Sequence, residues 1–454
     1  MKNKKVAVLG IGISNTPLVK LLYKMDAQVT VFDRSEGNKL MDTISNFEGM
    51  KVSFCLGNDY LKELKGFNYI FRSPGIRFDI PELVAENKSG AVVTSEIEVF
   101  LDVCPAKIFG VTGSDGKTTT TTLICKILND SGYKCWIGGN IGTPLLDKID
   151  GITEDDMVIL ELSSFQLQTM QKSPSVAVIT NLTQNHLDFH KSYAEYKSAK
   201  ENIFRHQTKS NVTILNYDSE VTRDFSKLIK SNFVFFSRLK KLDRGFYVNN
   251  GKIVYSNGTD ETEILNTGDI LIPGNHNIEN YLAAIAATYP YTNVESINNV
   301  ARTFKGVEHR LELVRELNGV RFYNSSIDSS PNRTTAALST FDQPVILLAG
   351  GKDKNITYKD IGKVIAQKVK CLLLIGPTGP LIEKSLRDEI AKTGKGSDIS
   401  IIYCDSYDEL VKTAYRKART GDVILLSPAS TSFDMFKNFE ERGNLFKRIV
   451  NELK

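Results

Sequence analysis

Residues 110–122 read GVTGSDGKTTTTT, and they sit between an apolar strand at Ile108 and Phe109 and a helical stretch. Strand, glycine-rich turn, Lys-Thr and helix in that order commit the segment to an α/β unit whose loop faces phosphate. Gly110, Gly113 and Gly116 are expected to let the backbone turn with its N–H groups aimed at phosphate oxygens. Lys117 would reach the β/γ-phosphates, and Thr118 offers a hydroxyl where a hard cation such as Mg²⁺ takes oxygen ligands. The spacing departs from the common phosphate-loop pattern, which would require glycine at Val111.

Upstream, the chain begins a second unit of the same class. Val6–Leu9 reads as a strand, GIGISN as a glycine turn, Thr16–Met25 as a helix, and Val29–Phe32 as a strand ending at Asp33. In dinucleotide-type folds an acid about twenty residues past the glycines meets ribose hydroxyls. Gly10-x-Gly12-x-x-Asn15 lacks the third glycine, so it argues for a sheet whose first loop meets a phosphate or sugar rather than for a nicotinamide oxidoreductase. SPGI at Ser73–Ile76 adds a loop on the same strand-end side.

Downstream, Val158–Leu162 and Val176–Leu182 are apolar runs expected as buried parallel strands. A β-rich insertion with a hairpin at Asn249-Asn250-Gly251 follows, then a helix over His276–Thr288. Val345–Ala349, Cys371–Ile375, Ile399–Cys404 and Val423–Leu426 each lead into a helical pattern, which implies a further doubly wound sheet. With 454 residues, 41% of them hydrophobic, the chain can fill three cores. We expect an α/β protein with domains at 1–97, 98–306 and 307–454.

A net charge of +4, spread along the chain, argues against a nucleic-acid partner. No run approaches the roughly 18 apolar residues of a membrane span. The basic N-terminus leads into an apolar run too short and too glycine-broken for a signal peptide. Six cysteines without metal-type spacing fit a reducing cytoplasm.

Several polar residues fall where ligands bind. Glu161, embedded in an apolar strand, reads as a Mg²⁺ ligand or as a satisfied core acid. His186, in TNLTQNHLDFH after a strand, reads as a ligand or a structural residue. Composition gives Lys200, in YKSAKEN, no role beyond a solvated helical charge. Asn277 and Asn280 share a helical face and could read a purine edge or cap the helix. His309 and Arg310 stand at a domain boundary, where a guanidinium suits phosphates. Ser432, Lys437 and Asn438 lie near a helix start suited to a carboxylate.

GVTGSDGKTTT, GGNIG, ELSSFQL, NHLDFH, YKSAK, GNHNIEN, HRLE, LAGGKDK and LSPASTSFDMFKNFEERG, in that order, resemble the motifs of the Mur ligase family. The resemblance spans essentially the whole chain, and the last segment is similar to the D-glutamate-adding type. It implies a Rossmann-like first domain for a UDP-sugar, a central ATP-binding domain with a mainly parallel sheet, and a Rossmann-like last domain for an amino acid. It further implies a monomeric cytoplasmic enzyme that uses ATP to join D-glutamate to UDP-N-acetylmuramoyl-L-alanine through an acyl phosphate.

Carried onto this sequence, the resemblance assigns ATP to Gly113, Ser114, Asp115, Gly116, Lys117, Thr118, Thr119, Asn277, Asn280 and Arg310. Thr118, Glu161, His186 and a carbamylated Lys200 would hold two Mg²⁺ ions. Lys117, Glu161, His186, Lys200 and Arg310 would carry the catalysis. Ile13, Ser14, Asp33, Gly75 and Asn140 would contact the nucleotide-sugar substrate, and Lys354, Ser432 and Phe439 would hold D-glutamate. One stretch departs from the family. Where the common pattern is Asn-Asp-Ser-Lys-Ala-Thr-Asn, the chain reads Asn324-Ser325-Ser326-Ile327-Asp328-Ser329-Ser330. The nucleotide-contacting acid is thereby Ser325 and the lysine is Ile327, with Asp328 nearly one turn away if the stretch is helical. Lys352 also replaces an acid or neutral residue.

Overall fold

Each cluster of apolar runs closes into its own sheet. In a computed structural model describing residues 1–12, 14–184, 189–354 and 356–454, the first sheet comprises β1 (Lys5–Leu9), β2 (Gln28–Asp33), β3 (Val52–Leu56), β4 (Tyr69–Arg72) and β5 (Val92–Thr94). The order is β3-β2-β1-β4-β5, all parallel. Alternation along β1 separates two cores: Val6 and Val8 face one apolar cluster, Ala7 and Leu9 another.

The second sheet holds β6 (Lys107–Thr112), β7 (Cys135–Gly139), β8 (Met157–Glu161), β9 (Val176–Ile179), β10 (Val212–Asn216), β11 (Asn232–Ser237), β12 (Arg244–Asn249), β13 (Lys252–Asn257) and β14 (Glu261–Asn266). Its order is β14-β13-β12-β11-β10-β9-β6-β8-β7, parallel except for β12-β13 and β13-β14. The expected hairpin forms there, with Asn250 and Gly251 both at positive φ as a two-residue turn requires. β9 stops at Ile179, short of the expected Leu182, because the chain turns there to meet the phosphate loop: Thr180 and Asn181 bond to Asp115.

The third sheet contains β15 (Glu312–Leu317), β16 (Val320–Asn324), β17 (Val345–Ala349), β18 (Val369–Leu374), β19 (Ser400–Tyr403) and β20 (Val423–Leu426), in the order β15-β16-β20-β17-β18-β19. β15 runs antiparallel to β16 and forms an edge absent from the sequence expectation. Val345 and Leu347 of β17 bury on one face, Ile346 and Leu348 on the other, as a sheet covered on both sides demands.

Packing groups these sheets into two compact units, residues 1–267 with 279–300, and residues 268–278 with 301–454. Within the former, a single apolar cluster runs from Val8 and Leu18 through Leu145 and Leu167 to Val158 and Phe204, so the first two sheets share a core.

Candidate active site

The phosphate loop lies at the C-terminal end of β6, flanked in the sheet by β8 and β9. Gly110 is not part of the turn. It sits inside β6, where a Cβ would come within 2.5 Å of the Pro174 ring, so its glycine serves strand packing and not phosphate. That accounts for the odd spacing: the loop proper is Gly113–Gly116. Gly113 (φ 153) leaves no room for a side chain beside Thr180 Oγ1, at 2.0 Å from a built Cβ, and Gly116 (φ 78) none beside Asn280 Oδ1, at 2.2 Å.

The helix Lys117–Asp130 starts directly after Gly116. Lys117 Nζ donates to the carbonyls of Gly113 and Ser114, each at 2.9 Å, arching the ammonium over the loop. Ser114 Oγ donates to the Thr183 carbonyl, accepts from the Thr183 N–H, and meets the Tyr196 hydroxyl at 3.0 Å. Asp115 N–H donates to Asn181 Oδ1, and Thr119 is buried on the first turn of the helix.

Glu161, at the end of β8, is 2% exposed. Thr118 Oγ1 donates to its Oε2 at 2.7 Å and Asn140 Nδ2 to its Oε1 at 2.8 Å. Asn140, expected at the substrate, is thus fixed on the carboxylate. Oxygen donors gathered at a helix N-terminus fit a hard divalent cation. Among the described residues no three His, Cys, Asp or Glu side chains converge as a metal cluster, and His186 lies outside those residues.

Lys200 is not a solvated charge. It is 2% exposed, and its Nζ donates to Thr112 Oγ1 at 2.8 Å and to the Gly113 carbonyl at 2.9 Å. Burial first, and the Lys117 charge second, hold its pKa well below the ordinary lysine value against the pull of Glu161 and Asp115. Tyr196, Ala199, Lys200 and Ile203 form the buried i, i+3, i+4, i+7 stripe of the helix Tyr193–Arg205, a period that could have exposed the lysine in the sequence.

In the first sheet, Asp33 Oδ2 accepts the Ile11 N–H at 2.9 Å and Oδ1 the Ser35 N–H, so the carboxylate shapes the glycine turn. Ser14 precedes the first helix without capping it, Gly75 is exposed in the turn after β4, and Ile13 lies outside the described residues. Sequence reasoning passed over Asn15, which stands in for the missing third glycine. Its buried amide donates to Gly10 O at 2.7 Å and Ser73 Oγ at 3.0 Å, tying the two loops together.

On the helix Asn275–Thr288, Asn277 Nδ2 donates to Pro273 O at 2.6 Å, a local capping contact. Asn280 Oδ1 accepts from Thr120 Oγ1 and faces Gly116.

In the C-terminal unit, Arg310 stands between His309 (φ 61) and Leu311 (φ 45), left-handed residues that cost about 1–3 kcal/mol each. The Glu312 carboxylate accepts the His309 N–H at 2.9 Å and Ser325 Oγ the Leu311 N–H at 3.2 Å, which holds the segment in place. Ser325 to Asp328 is a turn rather than a helix, closed by Asp328 N–H to Ser325 O at 3.0 Å. The turn folds Asp328 back to Ser325, and its buried carboxylate accepts from Ser427 Oγ at 2.8 Å. Burial raises its pKa, while Ser325, Ser427, Arg333 and Arg310 act in the opposite direction. Asp328→Ala should lower the unfolding free energy by about 1–3 kcal/mol in urea titrations, the cost of removing the buried carboxylate that accepts from Ser427 Oγ. A change below about 0.5 kcal/mol would show that the carboxylate is dispensable for this turn.

Ser432 is buried, Lys354 Nζ reaches Ser329 Oγ at 3.5 Å, and Phe439 packs edge-on to His309 at the start of the helix Phe439–Glu452. Asn438 caps that helix through the Glu441 N–H at 2.8 Å, so this amide is committed locally. Arg442, fully buried, bonds to Ser326 Oγ, Ser326 O and Ser430 O and was not anticipated.

Comparison with known proteins identifies the chain's relatives. Residues 4–95 match the "Mur ligase MurD-like, N-terminal domain", 111–288 the "Mur ligase middle domain" and 309–430 the "Mur ligase, glutamate ligase domain". A protein of Acetivibrio thermocellus named UDP-N-acetylmuramoylalanine--D-glutamate ligase is 58% identical, with 100% of this chain and 97% of that one aligned. The chain belongs to the Mur ligase family. Mur ligases are ATP-dependent enzymes of peptidoglycan synthesis that form amide bonds with Mg²⁺, and this chain is such a ligase. A Ruminiclostridium cellulolyticum protein with the same name is 57% identical over 100% of this chain and 98% of its own. Solved Mur ligases share the fold: MurF from Acinetobacter baumannii, at 15% identity over 86% of this chain and 92% of that one, has a TM-score of 0.59. UDP-N-acetylmuramate-alanine ligase from Thermotoga maritima, at 18% identity over 100% of both chains, gives 0.58. Among the described residues no helix is long and apolar enough to cross a membrane.

Proposed function

We propose that this Mur ligase joins D-glutamate to UDP-N-acetylmuramoyl-L-alanine, acting as a cytoplasmic monomer with domains at 1–97, 98–306 and 307–454. The observation that carries the chemistry is the phosphate loop with Lys117 arched over it and Thr118 bonded to Glu161. The alanyl carboxylate attacks the γ-phosphorus, and the bond to the β-phosphate oxygen breaks to release ADP. The amine of D-glutamate then attacks the acyl carbon, loses a proton and expels phosphate.

Loop N–H groups and Lys117 would hold the phosphates in line, positioning being most of the catalysis in such transfers. Mg²⁺ bound at Thr118, Glu161, His186 and Lys200, as two ions, would neutralise charge on the phosphate oxygens. Lys200 would be carbamylated: its amine nitrogen bonds to the carbon of CO₂ and sheds a proton, turning a buried donor into an oxygen ligand. The lowered pKa supports this, since only the neutral amine reacts. In the same proposal Asn277, Asn280 and Arg310 serve ATP, and Ile13, Ser14, Asp33, Gly75 and Asn140 the nucleotide-sugar. Lys354, Ser432 and Phe439 would take D-glutamate. Six free thiols favour the reducing compartment.

The names of the full-length relatives support D-glutamate as acceptor. Phosphate release from ATP and UDP-N-acetylmuramoyl-L-alanine should depend on D-glutamate and stay at background with L-glutamate, L-alanine, glycine or L-lysine. Equal or greater release with one of those would overturn the assignment.

A further inference from the structure

Arg72, the last residue of β4, is 1% exposed and opens the Ser73–Ile76 turn. Its guanidinium forks in two directions. Nη1 donates to the carbonyls of Ser73 and Pro74, each at 3.2 Å, and of Ile76, closing the turn around itself. Nη2 reaches out of the first sheet to Phe165 O and Thr169 Oγ1, each at 3.2 Å. Phe165 belongs to the helix Ser164–Leu167, which Ser163 caps two residues after Glu161. One planar group therefore spans the turn after β4 and the segment leaving the Glu161 strand. A lysine could not, for it has one ammonium and no fork.

The turn is not isolated either. Ser73 Oγ donates to Gly10 O at 3.2 Å and accepts from Asn15, so the loops after β1 and β4 are bonded to each other. Burying a guanidinium among neutral acceptors is a poor way to gain stability. Glu98 is its acidic neighbour, and that carboxylate is already engaged by the Gln171 N–H at 2.7 Å and by Thr94 Oγ1. A costly cation whose bonds go to two ligand-bearing segments is better explained by registration of those segments.

We propose that Arg72 is a positioning residue for the ligation. It latches the paired loops of the first sheet, and with them the nucleotide-sugar bearing the reacting carboxylate, to the segment that follows Glu161. This rests on the substrate assignment above. A displacement of the order of an ångström between carboxylate and phosphate costs rate as well as affinity.

The test is steady-state kinetics on the full chain with Arg72→Lys and Thr169→Val. Arg72→Lys should raise KM for UDP-N-acetylmuramoyl-L-alanine about tenfold and lower kcat, with KM for ATP and D-glutamate within about twofold of wild type. Thr169→Val removes one acceptor from the far side of the latch. It should shift the same KM in the same direction by about two- to threefold with an unchanged urea midpoint. An unchanged KM for the nucleotide-sugar in both variants, or an equal rise for all three substrates, overturns the latch. Should Arg72→Lys fold poorly, Thr169→Val decides alone. A wild-type chain without D-glutamate-dependent turnover strikes the substrate assignment instead; the latch is then read from calorimetric affinity for UDP-N-acetylmuramoyl-L-alanine, where equal binding by wild type and Thr169→Val refutes it.

Discussion

Lys117→Ala should reduce turnover by about 10³-fold or more, the scale at which losing a preorganised cationic donor at a developing charge is felt. The side chain projects from the first helical residue back over the loop, and removing it strips charge from the phosphate cradle without opening a core. The helix start, the positive-φ glycines Gly113 and Gly116 and the bond from Thr118 to Glu161 depend on other atoms. Folding can be followed independently through Trp136, the only tryptophan, whose indole N–H donates to Asp156 at 2.8 Å. A variant with native tryptophan emission and activity within tenfold of wild type would remove Lys117 from the phosphate site.

The second large effect is expected at Lys200. Truncation to alanine should lower activity by about 10²-fold or more, since both the buried donor and the oxygen ligand it is proposed to become are lost. Added acetate or propionate should restore part of that activity, because a short carboxylate can occupy the vacated volume and present the oxygens of the missing carbamate. Restoration should saturate with carboxylate concentration and be absent in Lys117→Ala. A folded Lys200→Ala protein that formate, acetate and propionate all fail to rescue would argue against carbamylation and leave Lys200 as a donor to Thr112 and Gly113.

The parts of this chain that announced themselves are those where one residue type has one physical use. β17 and β20 fall where uninterrupted apolar runs predicted them, because strands covered on both faces admit little else. The Asn250-Gly251 turn was equally plain. β15 was hidden because ELVREL buries no residue fully and mixes charges with apolar residues, as an edge strand does. Gly110 misled because a glycine needed for close packing looks the same in sequence as one needed for a turn. Asn15, Arg72 and Arg442 went unread for a further reason: each ties its own segment to one distant in sequence, at Ser73, Phe165 and Ser326, and such partners leave no spacing to detect. Asp328 was recognised as a carboxylate out of place, but only the turn geometry brings it beside Ser325.

The core shared by the first two sheets bears on how such chains can be recombined. Leu18 and Val19 of the first helix pack in the same cluster as Leu145, Leu146 and Leu167. A cut near residue 97 would therefore split a dry interior, whereas the third sheet carries apolar layers of its own. As a cassette for exchange between ligases, residues 1–97 are tied to their neighbour by complementary side-chain shapes, and a donor sequence would have to bring both halves of that interior with it.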